Sequence, residues 1–131
     1  MLATHKLTIT FKTCHPDYKD GEQKRDFLYV KDAVDMVLYF LDRKESGLFN
    51  VGSGQAETWK SLVTAIFAAS NKKPNIEYVE MPEYLKSRYQ YYTKAEMWKL
   101  RRFYSPQLTS LKDAVKDYVR NYLVPSRHLG D

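Results

Sequence analysis

The chain has 131 residues, 44% hydrophobic and 28% charged, with only 5 Gly and 5 Pro. This is enough sequence for one modest core, and the composition excludes a disordered or collagen-like chain. The 21 Lys+Arg against 16 Asp+Glu give +5, a field that favours an anionic partner; basic and acidic residues are interspersed, as in Asp17-Tyr18-Lys19-Asp20 and Lys112-Asp113, which argues against the basic stripe of a nucleic-acid binder. No apolar run approaches the roughly 18 residues that cross a bilayer, and Met1 to Thr10 holds no signal-peptide core. The single cysteine, Cys14, makes no internal disulfide and fits a reducing compartment. A cytoplasmic protein with no membrane partner is expected.

Leu7, Ile9 and Phe11 alternate with polar residues, the period of a half-buried strand. His15 to Lys24, with Pro16 and Gly21, reads as a loop. Phe27 to Val30 reads as a short strand, and Asp32 as the N-cap of a helix whose apolar face is Val34, Val37, Leu38 and Leu41, closed by Gly47. Leu48 to Val51 reads as another strand, running into Gly52-Ser53-Gly54. Thr58 is placed to cap a helix with Leu62, Val63, Ile66 and Phe67 inward and Asn71 at its end. Ile76 to Val79 reads as a strand and Pro82 to Arg88 as a turn or single helical turn, followed by an extended Tyr89 to Tyr92. Thr93 with Glu96 forms a capping-box pattern for a helix through about Arg102, and Ser110 with Asp113 a second capped start. The last helix is expected to bury Ala114, Val115, Tyr118, Val119 and Tyr122. The alternation argues for α/β with some parallel pairing, but with few, short strands and an incomplete sheet. Residues 1–124 form the expected domain and 125–131 a flexible tail.

The chemistry-bearing patterns are sparse. Gly52-Ser53-Gly54 sits between a strand and a helix, the setting of a phosphate-cradling turn, but lacks the third glycine of a dinucleotide motif; an ordinary turn and a cradle both remain open. None of the 11 tyrosines has a lysine four residues on, so the Tyr-x-x-x-Lys pair of short-chain dehydrogenases is absent. Cys14 and His15 are adjacent and His5 and His128 remote, which makes no metal set. Catalytic, cofactor-binding and metal-ligating residues are therefore expected to number none. Arg25, ahead of the Phe27 to Val30 run, is placed to offer a guanidinium to a diphosphate; pairing with Asp26 is the simpler reading of the residues alone. The run Arg88-Tyr89-Gln90-Tyr91-Tyr92 offers flat faces and hydroxyls to a base or sugar, or equally covers a core edge.

Arg25-Asp26-Phe27-Leu28-Tyr29-Val30-Lys31-Asp32 resembles the Arg-Asp-Phe-x-Tyr-Val-x-Asp motif of extended short-chain dehydrogenases, and Phe49-Asn50-Val51-Gly52-Ser53-Gly54 resembles the segment that follows it in those enzymes. Asp17 to Glu22, Ile76-Glu77-Tyr78 with Met81-Pro82, and Arg88 to Met97 are similar to the C-terminal region of ADP-L-glycero-D-manno-heptose 6-epimerases. The resemblance runs from about Leu7 to Leu123. It implies the C-terminal, substrate-binding part of an extended short-chain dehydrogenase (Rossmann-type) fold with about four helices, in a family that uses NADP to invert a sugar for lipopolysaccharide. It also implies that Arg25 contacts the ADP diphosphate, that Tyr89 is a second substrate contact, and that Tyr18, Lys19, Asp20 and Gly21 touch the nucleotide. Gly52 and Gly54 become structural. The family's cofactor glycines and catalytic pair lie upstream of the matched region, so the chain is expected to be a cut domain or a truncated or split reading frame. Alone it is expected not to epimerise, to bind ADP-sugar weakly, and to self-associate through uncovered apolar surface.

Overall fold

Parallel pairing between distant segments sets the class of the fold. The computed structural model describes residues 8–105 and 107–127. In it β1 (Thr8–Phe11) runs parallel to β4 (Ile76–Val79), with Thr8 opposite Ile76 and Phe11 opposite Val79. A second, antiparallel pair joins β2 (Lys24–Arg25) to β3 (Glu57–Thr58). Each sheet has two strands, and five α-helices lie around them: α1 (Val30–Tyr39), α2 (Trp59–Ala69), α3 (Glu83–Lys86), α4 (Trp98–Arg101) and α5 (Leu111–Tyr118). The chain is thus α/β with the incomplete sheet that its few strand signals implied. Leu7, expected in the first strand, and residues 128–131 of the expected tail lie outside the described residues. Among the described residues no helix is long and apolar enough to cross a membrane.

Elements whose signals are local form where the sequence places them. The Thr58 side chain accepts a hydrogen bond from the Ser61 amide at 2.9 Å and caps α2. Ser110 does the same for α5 through the Asp113 amide at 3.1 Å, while its hydroxyl donates to the Asp113 carboxylate. Asn71, just past α2, takes φ +54, the left-handed conformation that asparagine tolerates. β4 and the single helical turn after Pro82 also fall as expected.

The core is divided. One cluster gathers Met36, Met97 and Leu100 under Leu28, Phe40 and Phe49; the other gathers Ala69, Val115 and Val119 under Leu62, Ile66 and Leu111. α5 runs on into a π-helical turn, Val119–Leu123, whose Val119 is 2% exposed. Buried Gln23 ties the two sheets together, its side-chain amide donating to the Phe11 carbonyl.

Several expectations fail where the deciding contact is distant in sequence. The strand expected at Phe27–Val30 is displaced: β2 ends at Arg25, and Val30 already begins α1 with Tyr29 as N-cap. Asp32 is therefore not the cap; it lies in the first turn and accepts from the Thr109 amide and hydroxyl, both at 2.8 Å. The helix ends at Tyr39, well before Gly47. Leu48–Val51 has no strand partner among the described residues and stays irregular. The Thr93/Glu96 capping box does not form, because residues 93–95 are drawn out along β2: the Thr93 amide donates to the Lys24 carbonyl and the Ala95 amide to Asp26. α4 starts at Trp98. Tyr118 is exposed and stacks on Tyr122 instead of entering the core.

The largest reversal concerns α1. Its expected inner face, Val34, Val37, Leu38 and Leu41, is 49–70% exposed, while Met36 is fully buried. Met36 and Phe40, one helical turn apart, face the Met97–Leu100 cluster. The broader apolar stripe finds no partner among the described residues.

Candidate functional site

The motif that opens with Arg25 is an anchoring device read residue by residue. Phe27 packs edge-on against Trp59 of α2, ring centroids 5.2 Å apart. The Tyr29 hydroxyl donates to the Asp117 carboxylate, and Lys31 reaches the same oxygen at 2.9 Å, tying the start of α1 to α5. Burial and the Asp117 hydrogen bond both push the Tyr29 pKa up, since each disfavours the phenolate. Asp32 adds the bonds to Thr109 already described.

Asp26 is the centre of this device. Its carboxylate accepts from the Ser53 amide at 2.7 Å, the Ser53 hydroxyl at 2.6 Å, the Gly54 amide at 2.9 Å and the Ala95 amide at 2.8 Å. Burial acts to raise the Asp26 pKa, but these donors together outweigh it and leave the pKa below the ordinary 3.8. The result closes both questions the residues alone left open. Asp26 is committed to three backbone amides and does not pair with Arg25. The Gly52-Ser53-Gly54 turn does form an anion cradle, but the anion is the chain's own carboxylate. A Cβ on Gly52 would collide with that of Ala95, and Gly54 holds φ +69, so both glycines are required by the knot. This turn does not fit the pyrophosphate of a nicotinamide cofactor, because the donors that would hold it are already satisfied.

With Asp26 turned inward, Arg25 is left facing out. Its guanidinium lies 5.0 Å from the centroid of the Tyr89 ring, and one of its nitrogens donates to the Lys24 carbonyl at 2.8 Å. Tyr89 meets Phe11 of β1 edge-on at 6.5 Å and Tyr91 at 5.1 Å. Tyr91 in turn stacks on Tyr18 at 5.7 Å and on His15 at 5.0 Å. Three of the six site residues marked in the sequence, Arg25, Tyr89 and Tyr18, are therefore links of one aromatic and cationic row. Lys19 is exposed beside it. Asp20 and Gly21 shape the loop: the Asp20 carboxylate accepts from the Thr13 amide at 2.8 Å, and Gly21, at φ +75, packs against Tyr78 while its carbonyl receives the Lys60 amide.

The row lies apart from the largest groove of the described residues, a cleft of about 780 Å³ between Phe27–Val30, α2 and α5 whose lining includes Leu62, Ile66, Val115 and Val119. Sequence reasoning missed Asp26, whose position in the motif was its only signal, and Tyr91, which was one tyrosine among several.

The fold and this motif geometry are those of the epimerase/dehydratase class of extended short-chain dehydrogenases, of which the chain carries one part. The model of the NAD dependent epimerase/dehydratase family matches residues 4–52. The UDP-N-acetylglucosamine 4-epimerase of Methanobrevibacter ruminantium shares the fold, with a TM-score of 0.75 at 18% identity over 93% of this chain and 36% of that one. Within the class the chain is homologous to ADP-L-glycero-D-manno-heptose-6-epimerases. That of Nitratidesulfovibrio vulgaris is 51% identical over 115 residues, 86% of this chain and 36% of the relative. The crystal structure of the Helicobacter pylori enzyme of that name superposes with a TM-score of 0.64 at 26% identity, over 77% of this chain and 30% of that one. The chain spans about a third of the length of these relatives.

Proposed function

We propose that the chain is the substrate-binding part of an NADP-dependent ADP-L-glycero-D-manno-heptose 6-epimerase of lipopolysaccharide biosynthesis, supplying Arg25, Tyr89 and the Tyr18–Gly21 loop to the ADP-sugar and no reacting group of its own. The observation that carries this reading is the Arg25 guanidinium seated on the Tyr89 ring at an open face, its neighbouring carboxylate committed elsewhere. A guanidinium paired with a carboxylate would compete with a diphosphate; one held by a ring and a single carbonyl keeps N–H groups for phosphate oxygens. Hydride transfer and proton relay have no candidate residues in the sequence, so the bare chain binds and orients without turning over. Its half-built cleft makes the affinity low, a Kd on the order of 1 mM for ADP. Calorimetric titration with ADP tests this: heat that saturates in the millimolar range is expected, and its absence at about ten times that concentration sinks the reading. Epimerisation by the bare chain with NADP present would contradict the second half of the proposal.

The exposed stripe of α1 supports self-association as a partner mode. Val37 is 57% exposed, Leu38 52% and Leu41 70%, an apolar patch of the kind that drives association. Light scattering on a sizing column is expected to show oligomers that shift toward monomer in Leu38→Glu, with helical content retained. An unchanged distribution would remove α1 from the interface.

A further inference from the structure

The Tyr18 loop has little to hold its far end. Between Thr13 and Glu22 the chain makes short turns, the Tyr18 amide to the His15 carbonyl at 3.3 Å and the Glu22 amide to the Lys19 carbonyl at 2.9 Å. Its near end is fixed by Asp20 on Thr13 and by Gly21 against Tyr78. The far end touches the rest of the fold through two rings, His15 and Tyr18, and both rest on Tyr91. Tyr91 is itself well anchored. Its carbonyl receives the Lys24 amide at 2.9 Å, and the next residue, Tyr92, bridges Lys24 in parallel register. The other side of its ring system meets Tyr89, the ring on which Arg25 sits.

We propose that Tyr91 is a positioning residue of the site: its ring carries the His15–Lys19 end of the loop and sets Tyr18 beside the Tyr89–Arg25 pair, so that a nucleotide meets them as one surface. This rests on the reading of Arg25 and Tyr89 as nucleotide contacts, but the geometry on which it depends exists without ligand. The ring is what the role needs. No hydrogen bond of the Tyr91 hydroxyl contributes, so phenylalanine is sufficient and alanine is not. Stacked and edge-on contacts of this kind each add stabilisation beyond area burial, and a loop held by two of them opens locally far more often once both are lost.

The test is limited trypsinolysis at Lys19 in the nucleotide-free chain, compared across wild type, Tyr91→Phe, Tyr91→Ala and Tyr91→Leu. Cleavage after Lys19 is expected to quicken about tenfold in Tyr91→Ala and to stay at the wild-type rate in Tyr91→Phe; Tyr91→Leu keeps apolar volume without a ring and serves if the alanine variant does not fold. ADP affinity is expected to fall by a similar factor in Tyr91→Ala and to return in Tyr91→Phe. Three results overturn the proposal: an unchanged cleavage rate at Lys19, an acceleration spread over all sites with a fallen Tm, or full ADP affinity in Tyr91→Ala. If the wild type binds no ADP, the nucleotide-site reading fails, and the cleavage comparison, which needs no nucleotide, still decides whether Tyr91 holds the loop.

Discussion

Replacing Asp26 by alanine is expected to cost about 3–5 kcal/mol of stability, because the amides of Ser53, Gly54 and Ala95 and the Ser53 hydroxyl lose a shared charged acceptor at once. Single hydrogen bonds to charged groups contribute about 1.5–3 kcal/mol, and part of that is recovered when water reaches a half-buried site. Asparagine is a poor substitute, since its amide nitrogen would face donors. Urea unfolding measures the effect as a drop in the midpoint with little change in slope, and amide exchange at Ser53, Gly54 and Ala95 localises it. A midpoint unmoved in the alanine variant would show that the knot contributes nothing. The same group gives a pH dependence of known sign. The native carboxyl has a pKa below the 3.8 of a free side chain, so its contribution is fully present above about pH 3.8 and is lost as the pH falls through the lower native value. Asp26→Asn should lack that acid-limb component.

Arg25 carries the second large effect, on binding instead of stability. Arg25→Ala is expected to weaken ADP by about 2–3 kcal/mol, roughly 30- to 150-fold, which takes a millimolar ligand out of range of calorimetry. The folded chain loses only the contact with Tyr89, about 0.5–1 kcal/mol for a cation over an exposed ring. Arg25→Lys keeps the charge but not the planar fork, and about a tenfold loss is expected. Competition against AMP separates the mechanisms: if Arg25 reads the second phosphate, its replacement should narrow the preference for ADP over AMP. Equal losses for both nucleotides would instead assign Arg25 a contact to the first phosphate or to the ribose.

The position of Asp26 explains why both effects can be separated. Two adjacent residues of one motif point in opposite directions, as consecutive side chains along an extended strand do. One binds the turn at Gly52–Gly54 to the segment at Ala95; the other stands on Tyr89. The motif therefore fixes the rim from which Arg25 projects, and damage to either neighbour reaches the site by a different route.

How legible this was depended on the range of the deciding interaction. The caps Thr58 and Ser110, the left-handed Asn71, the strand Ile76–Val79 and the turn after Pro82 were readable because each is decided by hydrogen bonds or backbone preferences within a few residues. The motif around Arg25 and the Tyr89 run marked the site for the same reason: they are contiguous. The sequence by itself thus determined the helices, the class of fold and two of the side chains that meet at the candidate site. Tertiary structure decided the rest. Phe27–Val30 and Leu48–Val51 carry strand composition, but a strand exists only with a partner, and neither finds one among the described residues. The apolar stripe of α1 was correctly seen as apolar, yet which side of a helix is covered is decided by what packs there, and here Met97 and Leu100 chose Met36 and Phe40 over Val37 and Leu38. The fate of Gly52-Ser53-Gly54 turned on a carboxylate 27 residues away, and the role of Tyr91 on rings some seventy residues earlier in the chain. Hydrogen bonds within a turn act between neighbours in sequence; burial, strand pairing and ring stacking act between neighbours in space, and only the folded chain says which residues those are.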